Sequence, residues 1–243
     1  MDHRTVPGLR RAGSFAYRPA LDGVRALAVT AVVLFHAGAG GLAGGFLGVD
    51  TFFVLSGFLI TSLLVAEHRV RGRIDLRRFW IRRVRRLLPA LLAVLLATVV
   101  AGHFLLDSDA NTLLRTDAYT ALGYVANWRM IFRGTGYVAA TAAPSPLQHT
   151  WSLGIEEQFY LIWPLLVIGL TRWMAACRTR TALIVLCAIG AVASSLLYGY
   201  FFRPDDIAPA YCGPDTRAQA LLIGAALAAA GESSRRSSSA GRL

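Results

Sequence analysis

Lysine is absent from the 243 residues, so all 25 basic side chains are arginine. Charge of either sign is sparse: 16% of residues are charged against 55% hydrophobic, and the mean hydropathy is +0.50. So apolar a composition excludes an ordinary soluble domain. Cysteine is scarce as well. Cys177, Cys187 and Cys212 show neither CxxC spacing nor an even count, which gives no metal site and no disulfide framework and leaves them as packing residues.

What is present is a series of long uncharged stretches, at 26 to 46, 51 to 66, 87 to 106, 158 to 171, 181 to 202 and 218 to 231. Several approach the ~20 residues that cross a bilayer as a helix. They recur along the whole chain, so a single cleavable secretion signal does not account for them. The expected fold class is all-α, a polytopic transmembrane helical bundle in contact with the lipid bilayer.

The net charge of +11 would suit nucleic acid. The arginines, however, lie in blocks between apolar stretches rather than interleaved with stacking aromatics, which points to membrane topology and away from a nucleic-acid partner. Nine arginines fall between Arg69 and Arg86, and this loop is expected on the cytoplasmic side. The N-terminal arm, 1–20, with Arg4, Arg10, Arg11 and Arg18, lies two spans away and so on the same side. The stretch 87 to 106 exits to a loop holding Asp107, Asp109 and Asp117, and the next basic connector runs from Arg172 to Arg180.

Only an odd number of crossings joins an outer loop to an inner one, yet two apolar candidates lie between them, at 118 to 132 and 158 to 171. The first is short and carries Asn127, Trp128 and Arg129, so it is expected to be re-entrant or interfacial. About six spanning helices result, with both termini cytoplasmic. The Ser- and Arg-rich segment 232–243 has no apolar periodicity and is expected to be a disordered tail.

Ionisable groups inside spans are costly and mark function or a watery cavity. His36 is expected near mid-membrane, ten residues into the first apolar stretch. Arg25 precedes it by eleven residues, which places the two about 20° apart around a helix and ~16 Å apart along it. Asp22, one turn below Arg25, is close enough to neutralise it. A desolvated, unprotonated imidazole on this face is suited to general-base work.

Toward the outer side, Asp50 opens the second span, where a helix dipole favours an anion. Glu156 and Glu157 stand where the fourth span begins, and first-turn glutamates are common caps. Glu156 also shares a face with Tyr160 at i, i+4, and Pro164 is expected to kink the helix just below and help open a cavity. Arg217 opens the last span on the side where a topological arginine is not expected, which leaves a buried ion pair as one reading.

The strings LDGVRALAVTAVVLFH, GGFLGVDTFFVLSGFLIT, RRVRRLLPAL, HTWSLGIEEQFYLIWP and DTRAQALLIGAALA, in this order, resemble the acyltransferase-3 family of integral membrane O-acyltransferases. The resemblance runs from about residue 17 to 230 and makes 21–231 an acyltransferase-3-like membrane domain. It implies transfer of an acyl group, commonly acetyl, from cytoplasmic acyl-CoA to a hydroxyl of an envelope glycan or other glycoconjugate acceptor, in the cell membrane and with no metal.

By position in the family's motifs, His36 corresponds to the catalytic residue and Arg25 to its partner. Arg82, Arg83 and Arg86, before Pro89, correspond to the cytoplasmic arginines that meet the donor's phosphates. Asp50, Trp151, Glu156 and Arg217 correspond to acceptor-side and pore-lining positions, Glu156 being the one assigned to catalysis. Family members usually continue with further helices. The resemblance therefore also leaves open an inactive truncated fragment, or a partner chain that supplies the missing helices. Polar groups at mid-membrane also mark translocation paths, so a transporter or flippase is kept as a less favoured alternative.

Overall fold

The computed structural model describes residues 19–38, 41, 43–133 and 145–240, apart from the side chains of 43, 176, 177 and 232–240. Helix α1 (Pro19–His36) is followed by a 3-10 turn (Ala43–Leu47) and α2 (Gly48–Arg71). Then come α3 (Leu76–Leu105), α4 (Ser108–Leu122), α5 (Ala126–Arg133), α6 (Thr150–Trp173), α7 (Ala176–Phe201), the short α8 (Ala208–Cys212) and α9 (Pro214–Ala240). No strand occurs among the described residues, and the fold is an all-α membrane bundle.

Local chemistry sets the helix ends. Gly72 adopts φ 68°, the left-handed conformation that glycine takes without steric cost, and its N–H closes α2 on the His68 carbonyl. Asp75 caps α3 by accepting from the Arg78 N–H at 2.9 Å, and Asp107 caps α4 by accepting from Ala110 at 2.7 Å.

Five helices are long and apolar enough to cross a membrane: α1, α2, α3, α6 and α7. The expected sixth crossing, α9, opens on Asp215, Arg217 and Gln219 and is not among them. The helix continues through Ala240, across part of the segment expected to be disordered. The N-terminal arm, residues 241–243 and the Cys177 side chain lie outside the described residues.

The interfacial element expected over 118 to 132 is two helices rather than one. The chain turns between α4 and α5 at Gly123 and at Tyr124, whose φ is 55°.

Helix α9 packs along both α2 and α7. A Cβ on Gly57 would collide with the Leu221 carbonyl, and one on Gly224 with the Val54 carbonyl, so α2 and α9 meet backbone to backbone. In lipid, where burial of apolar surface drives little association, small residues that permit such approach supply the packing. Polar sutures fix the other side: Ser194 donates to the Asp215 carbonyl and Ser195 to Gln219 Oε1, each at 2.5 Å. Leu27, Leu96, Phe104 and Leu196 point outward, as a hydrocarbon solvent requires.

Candidate active site

Two clusters of polar side chains lie within this bundle. In the first, residues reach a common depth from opposite directions, because successive spans alternate in direction. Arg25 is the seventh residue of α1 and Arg83 the eighth of α3, both approaching from one end. Ser56, ninth in α2, and Glu156, seventh in α6, approach from the other. Tyr160 Oη donates to Glu156 Oε2 at 3.1 Å, one turn apart as the shared face predicted.

Ser56 and the charges of Arg25 and Arg83 also act on the Glu156 carboxylate. The Arg83 guanidinium lies 5.2 Å from the Tyr160 ring centroid and 5.7 Å from that of Phe79. Glu157 Oε1 is buried without a hydrogen-bond partner. Two carboxylates and two guanidiniums thus offset one another where an isolated charge would cost several kcal/mol.

Helix α6 starts at Thr150, eight residues before the apolar stretch from which the span was read, so Glu156 and Glu157 sit in its second turn and cap nothing. Pro164 does not break the helix, which runs on to Trp173. Its missing N–H leaves the Tyr160 carbonyl without an intrahelical partner, and Trp80 Nε1 of α3 donates to that carbonyl at 3.2 Å. The proline thereby ties α3 to α6 beside the Glu156 cluster.

The second cluster gathers Asp50, Trp151 and Arg217 at the N-terminal ends of α2, α6 and α9. Arg217 Nη1 donates to Asp50 Oδ1 at 3.0 Å and Nε to the Tyr211 carbonyl at 3.0 Å, with the Arg217 side chain only 6% exposed. The guanidinium stacks on Tyr211 at 4.2 Å and faces Tyr198 at 5.6 Å. Trp151 packs between Phe53 and Tyr211, with ring centroids 6.0 and 4.9 Å away. The unexplained arginine of the sequence is therefore one half of a buried ion pair. Beside it the Cys212 thiol, buried and pushed up to about 12, stays protonated and packs as an apolar residue.

His36 does not lie within a longer span: α1 runs from Pro19 and ends at His36, which is exposed there. Gly45 and Gly48 lie against the Ala31 and Ala28 carbonyls and hold the last turns of α1 against the start of α2, the end that carries Asp50. His36 Nδ1 is 2.9 Å from the Val32 carbonyl. A carbonyl only accepts, so Nδ1 is the donor in this contact. Arg25 and Asp22 do pair, at 3.3 Å, in the first two turns of the same helix. No hydrogen bond or ion pair joins His36 to Arg25 or Glu156 among the described residues.

The three arginines before Pro89 separate. Arg82 is exposed, 3.8 Å from Glu67, and Arg86 is exposed, whereas Arg83 turns into the bundle. Sequence reasoning did not single out Tyr211, Ser56, Trp80 or Gln158. Gln158 donates to Asn127 Oδ1 and to the Tyr124 carbonyl, both at 2.9 Å, while the fully buried Asn127 donates to the Cys212 carbonyl at 3.3 Å. Gln158 follows the two glutamates directly, and that position was the available signal. Among the described residues no group of three or more His, Cys, Asp or Glu is placed to hold a metal ion.

Residues 18–242 match the family model described as the acyltransferase domain, which covers both clusters. The chain belongs to the acyltransferase-3 family. It is 44% identical over 213 residues to YrhL of Bacillus subtilis (strain 168), an alignment covering 87% of this chain and 33% of that protein. It is 40% identical over 228 residues to the O-acetyltransferase OatA of Staphylococcus aureus (strain NCTC 8325 / PS 47), covering 94% of this chain and 37% of the relative. To the peptidoglycan O-acetyltransferase OatA of Listeria monocytogenes serovar 1/2a it is 41% identical over 213 residues, covering 87% and 34%. The chain therefore spans about a third of the length of these relatives. No solved structure matches it.

Proposed function

We propose that this chain is an O-acetyltransferase membrane unit that moves an acetyl group from cytoplasmic acetyl-CoA to a hydroxyl of a cell-envelope glycan, peptidoglycan foremost, with His36 as general base. The observation that carries the reading is the placement of His36, exposed at the last turn of α1 with Nδ1 on the Val32 carbonyl, at the end of the bundle that bears Asp50, Trp151 and Arg217. The printed names of the relatives supply the acetyl group and the peptidoglycan class.

In this reaction His36 Nε2 takes the proton of the acceptor hydroxyl. The freed oxygen attacks the thioester carbonyl, the carbon–sulfur bond breaks, and the CoA thiolate leaves and is protonated from the imidazolium. Asp50 and Arg217 orient the acceptor, with Trp151 forming an aromatic wall. Arg82 and Arg86, exposed at the basic end, meet the donor's phosphates as guanidinium forks do. Arg25, Arg83 and Glu156 form the polar interior along which the thioester arm reaches the histidine. The excess of arginine at this end supports a cytoplasmic orientation for it.

The test is labelled acetyl transfer from acetyl-CoA into envelope glycan in cells expressing this chain or its His36→Ala variant, with equal membrane insertion verified for each. Label that depends on the histidine is expected. Equal labelling by both would remove His36 from the chemistry, and flux of a glycan without acetyl-CoA consumption would replace the enzyme by a transporter.

A further inference from the structure

Charge is unbalanced at the basic end of the bundle. Among the described side chains its carboxylates are those of Asp22, Glu67 and Asp75, and each is engaged. Asp22 pairs with Arg25, Glu67 stands 3.1 Å from Arg71 and 3.8 Å from Arg82, and Asp75 accepts the Arg78 N–H that opens α3. Arg73, Arg77, Arg78, Arg85 and Arg86 are exposed and make no ion pair among the described residues. Arg77 and Arg78 lie in the first turn of α3, the positive end of its dipole, where a cation is unfavourable and an anion is favoured.

The rest of α3 selects the kind of anion. At 100° per residue, Arg78, Ile81, Arg85, Leu92 and Leu96 fall within about 60° of one another around the helix. All five are exposed. The opposite face carries the buried Phe79 and the inward-turned Arg83, while Arg82 stands to one side, near Glu67 of α2. The outer face is thus basic in its first turns and aliphatic beyond them, with Ile81 between the two arginines. Because α3 is a membrane-crossing helix, Leu92 and Leu96 meet hydrocarbon and the arginines meet the headgroup layer. Arg85 starts ~10 Å deeper than Arg78. Helical side chains lean toward the N-terminus and long arginine stems snorkel to the interface, so both guanidiniums serve one headgroup level.

A soluble nucleotide matches the charge of this face but not the alkyl surface that continues from it. A zwitterionic phospholipid has chains for that surface, yet it brings its own cation and adds no net negative charge to the unneutralised guanidiniums. An anionic phospholipid satisfies both.

We propose that the outer face of α3 is a binding site for an anionic phospholipid, whose headgroup phosphate is held by Arg78 and Arg85 and whose acyl chain lies along Ile81, Leu92 and Leu96. The site is separate from the two polar clusters inside the bundle, and its test does not require acetyl transfer.

The probe is dioleoylphosphatidylglycerol, titrated against the whole chain in detergent micelles and read as lipid-bound species by native mass spectrometry, with dioleoylphosphatidylcholine as the zwitterionic reference. Arg78→Gln/Arg85→Gln removes two exposed charges whose side chains hold nothing else in the fold. Arg172→Gln/Arg178→Gln is the matched control, taking two exposed charges from the same end, at the close of α6 and the start of α7. The parent is expected to prefer phosphatidylglycerol, the α3 variant to bind it about tenfold more weakly, and the control to bind it as the parent does. Equal loss in both variants would reduce the effect to general attraction by a basic surface and overturn the site. Equal affinity of the parent for the two lipids overturns it too.

A second arm adds CoA in excess. Phosphatidylglycerol that stays bound supports a lipid site. Its displacement by CoA gives Arg78 and Arg85 to the donor's phosphates and overturns the proposal.

Discussion

Asp50 and Arg217 are 167 residues apart in the chain and 3.0 Å apart in the fold, and their ion pair joins the first turns of α2 and α9. Arg217 is nearly sealed from solvent, and its remaining contacts are a backbone carbonyl and two tyrosine rings. Removing its anion strands a cation in a low-dielectric site. Asp50→Ala is therefore expected to cost about 3 kcal/mol of stability, read as a lower thermal midpoint in detergent. The Asp50→Ala, Arg217→Leu double variant should recover part of that loss. A single variant as stable as the parent would mean that the tyrosines and the Tyr211 carbonyl satisfy the guanidinium unaided.

Trp80 and Pro164 form a second testable relationship. Trp80→Phe keeps the ring but removes the donor to the carbonyl that Pro164 leaves open, and a buried acceptor left unmade costs about 1–3 kcal/mol. Pro164→Ala restores an N–H to the helix and satisfies the same carbonyl internally. The two substitutions should thus be coupled: Trp80→Phe destabilises the parent and has little effect in the Pro164→Ala background. Strictly additive effects in a thermal-melt cycle would show that the indole contributes only its packing.

Much of this fold was legible from charge placement and apolar length, since the bilayer permits few architectures. The positions of residues along helices were less so. Apolar runs mark where a span is uncharged, not where its helix starts, and α1, α6 and α9 each begin several residues earlier on polar residues. The early end of α1 put His36 at a helix terminus, and the early start of α6 moved Glu156 from a cap to the interior. Arg217 announced itself by being on the wrong side of a span, but its partner Asp50 could not be read, because pairing across 167 residues leaves no local pattern. Tyr211 stands among Pro204, Pro209 and Pro214 in a connector without apolar periodicity, and α8 folds it back into the bundle.

Gly57 and Gly224 make α2 and α9 complementary at the backbone, each occupying space that a methyl group would need. Gly57→Val and Gly224→Val are expected to separate the two helices and so break the Asp50–Arg217 pair at their ends. Both variants should aggregate or elute as heterogeneous material in size-exclusion chromatography, where a valine at the lipid-exposed position Ala97 should not. A monodisperse Gly57→Val protein with the parent's thermal midpoint would show that the contact tolerates wider spacing.

The arginines before Pro89 give the sharpest division of labour. Arg82 and Arg86 are exposed at the basic end, so their alanine variants should fold normally and raise the acetyl-CoA concentration needed for half-maximal transfer, by about tenfold if each loses one charge-assisted phosphate contact. Arg83 lies over Tyr160 and its charge acts on both Glu156 and Glu157. Arg83→Ala leaves those carboxylates with less compensation, so it should lower the maximal transfer rate and the thermal midpoint together, and no excess of donor should restore either. Arg83→Lys keeps the charge but loses the planar stack on Tyr160, and should recover stability more fully than rate. Donor titrations on the three alanine variants decide the matter: if Arg83→Ala is rescued by raised acetyl-CoA in the same way as Arg86→Ala, then Arg83 serves the donor site and the inward cluster is held by Arg25 alone.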